Sequence, residues 1–142
     1  MVKHLEEILK DYESLRESFR YCSQHGECTK DALIEFQGRF TDLKADLRPI
    51  HNKVVREWTK FDDKGATAIK YRIAIAISKG DMDGFESCSM AQAEKLSAGS
   101  SKYKEFLDKR VFWRESLNNI NDLRDDISSY VIEISNRLKN MY

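Results

Sequence analysis

Lys60, Lys64, Lys70, Arg72 and Lys79 place five cations in one short stretch, with Tyr71 set between two of them. Ammonium and guanidinium groups answer phosphates, and an aromatic ring among them offers a face on which a base can stack. Such a run can bind a nucleic-acid strand; the competing reading is a solvated helix face. The whole chain carries 24 basic and 24 acidic residues, so net charge alone favours no partner. Its distribution does. Residues 44–79 hold 9 basic and 4 acidic side chains, whereas the stretches before and after are net −3 and −2.

Other chemistries fit less well. Cys22, His25 and Cys28 are spaced by three, and Cys88 would have to supply a fourth zinc ligand. Dependable zinc patterns bring two paired motifs, but here the second is a single thiol and Cys22 already fits an apolar helix seam. No metal is expected. Asp81, Asp83, Gly84 and Glu86 resemble part of a calcium loop, yet the third acid and the distal glutamate do not line up. Glycine-rich phosphate loops and nucleophile elbows are absent, and His4, His25 and His51 lie far apart in sequence. The expectation is therefore no enzyme and no cofactor. An odd number of cysteines suits a reducing compartment, and no window approaches the roughly 18 apolar residues of a membrane span. With no signal-peptide pattern at the start, a cytoplasmic location without membrane contact is expected.

The elements that must position these residues read as helices. A chain of 142 residues with one proline, 34% charged and 41% hydrophobic, suits one domain of helices with wet outer faces. Three parts are expected: a helical hairpin over 1–48, a basic central segment over 49–84, and a short helix plus a long C-terminal helix over 85–142. Residues 2–22 carry an apolar seam at Leu5, Ile8, Tyr12, Leu15, Phe19 and Cys22. Gly26 ends that helix, Thr29 caps the next, and its seam runs from Leu33 to Ile50. Pro49 predicts a kink, with the seam continuing through Val54, Trp58 and Phe61 as one rod. Residues 69–77 alternate like a strand while Ile69, Ile73 and Ile77 share a helical face. Helix is preferred, because no partner strand exists. Ser78 to Gly84 is a turn, Met90 to Leu96 a short helix, and Ser101 a cap for the last helix.

In that last helix Phe106, Trp113, Ile120, Ile127, Ile134 and Met141 recur at intervals of seven. Leu117, Val131 and Leu138 thicken the stripe four residues on, and Arg110 and Arg124 interrupt it. Five heptads span about 50 Å, longer than a compact domain of this size. The pattern predicts an all-α, elongated bundle whose seam is partly covered by another subunit. Phe106, Trp113, Leu117, Ile120, Ile127, Val131 and Ile134 are the expected oligomerisation residues.

The run Ala68-Ile69-Lys70-Tyr71-Arg72-Ile73, followed by Lys79-Gly80-Asp81-Met82-Asp83, resembles the middle of the UvsY recombination mediators of T4-like phages. Leu96-Ser97-Ala98 and Trp113 fall at similar spacing, so the resemblance covers about residues 50–140. It implies a small helical homo-oligomer that binds single-stranded DNA. It also implies help in loading a RecA-like recombinase onto DNA covered by single-strand-binding protein, inside the host bacterium's cytoplasm. Lys70 and Arg72 would be the carried-over DNA contacts, alongside Lys60, Lys64, Tyr71 and Lys79 from the residue reading. The sequence departs from the family where an aromatic pair follows the basic pair, since Ile75 and Ala76 stand there; this leaves mainly phosphate contacts. The competing account is a helical protein-interaction module, an adaptor, chaperone or inhibitor, without nucleic-acid binding.

Overall fold

The computed structural model describes residues 3–26 and 28–141, and every regular element among them is helical. The order is α1 (Leu5–Gln24), α2 (Lys30–Thr59), α3 (Asp63–Ser78), α4 (Met90–Ser97) and α5 (Ser101–Asn140). The all-α class and the long C-terminal helix are as the periodicity predicts; residue 2, where the first helix was expected to begin, lies outside the described residues. Contacts divide the chain into two compact units, one formed by residues up to 53 with those from 118 on, the other by Val54–Leu117.

The first unit packs α1 against the early part of α2 and the late part of α5. Its centre is aromatic: Phe40 stacks on Tyr130 at 4.9 Å between ring centroids, and Phe19 meets both edge-on. Offset and edge-to-face pairs of this kind add to the burial of large rings. Burial pushes the Tyr12 phenol above its ordinary value, and the nearby Asp126 charge adds to the shift. Thr29 caps α2 by accepting from the Ala32 N–H, and Gly26 takes the left-handed backbone (φ 68°) beyond α1. Pro49 does not end α2, although its ring removes the N–H that would reach the Ala45 carbonyl.

On α5 the structure corrects the seam. Ile120, Ile127 and Ile134 are buried, and the residues inward with them are Leu123, which is buried, and Tyr130, which joins the aromatic cluster. Leu123 and Tyr130 stand three residues after Ile120 and Ile127, where a heptad's d position falls, while Leu117, Val131 and Leu138, four residues on, are half-buried. Val131 and Arg124 flank the seam. Arg124 Nη1 lies 3.0 Å from His51 Nε2, and Asn121 Oδ1 lies 3.1 Å from the same nitrogen. The expected subunit interface at Ile120, Ile127 and Ile134 is thus occupied by the chain's own helices.

The rod expected across Pro49 is present as α2, which takes in Val54 and Trp58 and ends at Thr59, so that of the expected seam Phe61 falls in the turn that follows. Lys60 N–H and Phe61 N–H turn back to the Glu57 and Trp58 carbonyls, and Asp62 then caps α3 by accepting from Gly65 N–H at 3.0 Å. A side chain at position 65 would collide with the Lys60 carbonyl, so the tightness of this turn requires glycine. Gly65→Ala is expected to cost about 1–3 kcal/mol through that overlap, seen as a melting temperature lowered by several degrees; an unchanged melt would mean the turn opens freely. Residues 69–77 are helical. Ile73, Ala74 and Ile77 of α3 bury against Ala93 of α4, with Ile69, Met82, Phe85, Cys88, Met90 and Tyr103 packed around them. Ser100, not Ser101, caps α5: its hydroxyl accepts from Tyr103 N–H and donates to the Ser97 carbonyl.

Candidate nucleic-acid interface

A helix turns about 100° per residue, and that rotation sorts the basic residues of α3. Lys64, Tyr71, Arg72 and the C-cap residue Lys79 fall within one arc of about 100°, opposite the buried Ala66, Ile73 and Ile77. All four are exposed, Tyr71 by 58%. From Lys64 to Lys79 the stripe is about 22 Å long, at about 1.5 Å per residue. Among the described residues none of its three cations is in an ion pair. Asp63, the acid next to Lys64, is instead held by Arg110 Nη2 at 2.6 Å.

Two expected contacts stand elsewhere. Lys70 sits two positions before Arg72, which on a helix means nearly opposite sides, and its ammonium lies 5.2 Å from the centre of the Tyr103 ring. Lys60 belongs to the turn before α3 and pairs with Glu57 at 3.1 Å. That turn separates Lys60 from Lys64, so the two do not share a helix.

Trp58 and Phe61 are half-buried, as their place in the seam predicts. Phe61 meets Phe106 at 5.0 Å, while the Trp58 ring carries the guanidiniums of Arg110 and Arg114 at 5.9 and 5.5 Å. Sequence reasoning missed this cluster because it set Arg110 among the interruptions of the seam and did not connect it with Trp58. Two arginines four residues apart, with a tryptophan on a neighbouring helix, were the available signal. Phe106, Trp113 and Leu117 are half-buried in this same unit. Just beside them Val111 and Phe112 stand open to solvent, Phe112 by 59%.

The cysteines and histidines do not converge. Cys22 is buried in α1, the His25 ring stacks on Tyr21 with Nδ1 at 2.9 Å from the Tyr21 carbonyl, and Cys28 lies 3.7 Å from the Ser23 hydroxyl. Cys88 belongs to the other unit. Among the described residues no three His, Cys, Asp or Glu side chains group as metal ligands. No helix among them is long and apolar enough to cross a membrane.

Fold and surface together define an all-helical protein that presents a basic, aromatic helix face. In comparison with known proteins, no family model matches the chain, and neither a curated protein nor a solved structure does.

Proposed function

We propose that the chain is a non-catalytic protein that binds single-stranded DNA along the exposed face of α3. The observation that carries this reading is the stripe of Lys64, Arg72 and Lys79, without ion pairs among the described residues and flanking a solvent-facing Tyr71. Cations at this spacing follow a phosphate backbone, and an open tyrosine ring stacks on a base whatever its identity. A single strand suits the site better than a duplex, since an exposed ring gains nothing from bases that are already stacked in pairs. The resemblance to the UvsY mediators extends the proposal to a role: loading a RecA-like recombinase onto DNA covered by single-strand-binding protein. Self-assembly would multiply the stripe, because phosphate contacts add.

A second reading is favoured by Val111 and Phe112, whose exposure on α5 suits a protein partner. Fluorescence anisotropy of a labelled oligo-dT at about 50 and 200 mM salt separates the two, because phosphate binding releases counterions and apolar packing does not. Saturable binding that weakens with salt supports the DNA reading. No binding at either salt leaves the interaction module.

A further inference from the structure

Arg110 and Arg114 stand four apart on α5, where like charges repel. Both guanidiniums nevertheless gather at one ring, that of Trp58, at 5.9 and 5.5 Å. The π face offsets part of the repulsion. Among the described residues one carboxylate, Asp63, answers the pair, and it binds Arg110. Arg110 is fixed by that contact, with its Nε buried and without a hydrogen-bond partner among the described residues. Arg114 is different: exposed, lying against the indole, and with no carboxylate partner among the described residues.

The position of the pair adds to this. Asp63 is the first residue of α3, and Lys64, where the basic stripe begins, is the next. The Asp63–Arg110 contact therefore ties the arginine cluster to the end of α3 from which the stripe starts. We infer that Arg114 is a further phosphate contact for the same single strand, extending the binding track beyond α3, with Trp58 as its platform and Arg110 as a positioning residue. The inference rests on the α3 reading and adds a site to it. Stacking of a guanidinium on an indole leaves its in-plane N–H donors free, and these form the fork that matches phosphate oxygens.

Arg114→Gln tests the contact, because it removes the charge and keeps most of the aliphatic stem. In a Trp113→Phe background Trp58 is the remaining tryptophan, so its emission reports locally while anisotropy of a labelled oligo-dT reports binding as such. The expected result is a Trp58 emission change that saturates with the anisotropy. Arg114→Gln should also lower the slope of log affinity against log salt by about 0.7, the value of one single-strand phosphate contact. Binding by anisotropy with an unchanged slope in Arg114→Gln would overturn the inference and leave the α3 stripe standing. Absence of binding by the unsubstituted protein would overturn both. Arg114→Lys should restore most of the slope, since charge is what releases counterions.

Discussion

Ile120→Asp is expected to destabilise the fold rather than dissociate an assembly. Ile120 is 2% exposed and stands on α5 among Leu123 and Ile127, both buried, in the unit built with α1 and α2. The substitution removes an apolar side chain whose loss alone costs about 2–5 kcal/mol. It then leaves a carboxyl in the core, which must either desolvate its charge or stay protonated, at a further cost of several kcal/mol. Domains are stable by about 5–15 kcal/mol in total, so most of the reserve goes. Circular dichroism should show a melt lowered by well over about 10 °C, since about 1 kcal/mol moves the midpoint by 4–8 °C in a unit of this size. A variant that keeps its melt and only loses mass in light scattering would instead place Ile120 between subunits.

That expectation reverses what the heptads suggest when read alone, and the reason is geometric. Periodicity reveals that a helix has an apolar stripe but not what covers it, and α1 and α2 supply enough apolar surface to cover this one. It also leaves open on which side of the first set the second set falls. Leu117, Val131 and Leu138 made one flank look apolar, whereas the core takes Leu123 and Tyr130 from the other. Arg124, which looked like an interruption, is a flanking residue beside His51. Helix positions were legible for the same reason that flanks were not: a step of three and four fixes the element without naming its neighbour. The ambiguous run 69–77 resolved as helix because Ile69, Ile73 and Ile77 meet one surface, formed by α4 and the loop before it.

The basic segment was legible in composition and misread in continuity. Asp62 followed by Gly65 is a capping and close-approach signal, and reading it as such would have broken the rod at the right place. Once the rod is broken, Lys60 and Lys64 no longer share a helix, and the stripe begins at Lys64. Lys70 and Arg72, the basic pair within the run 68–73, stand two positions apart, and a helix sends the two to different faces. Arg72 joins Tyr71 and Lys79 in solvent, and Lys70 turns towards Tyr103.

The double substitution Lys64→Ala/Arg72→Ala should therefore weaken oligo-dT binding far more than Lys70→Ala. Each phosphate contact on a single strand contributes about 0.7 to the salt slope, so removing two lowers it by about 1.4. Between about 50 and 200 mM salt that difference alone amounts to roughly sevenfold in affinity. Neither residue is buried or in an ion pair among the described residues, so the fold should be untouched and the melt serves as the control. Lys70→Ala should leave the slope nearly unchanged, because its ammonium is engaged by a ring on the other side of the helix. Tyr71→Ala separates the two kinds of contact: it should reduce affinity by about 1–3 kcal/mol through lost stacking while keeping the slope. Equal effects of Lys70 and Arg72 would mean that the strand wraps the helix and does not follow one face. An unchanged slope in the double variant would remove α3 as the binding surface.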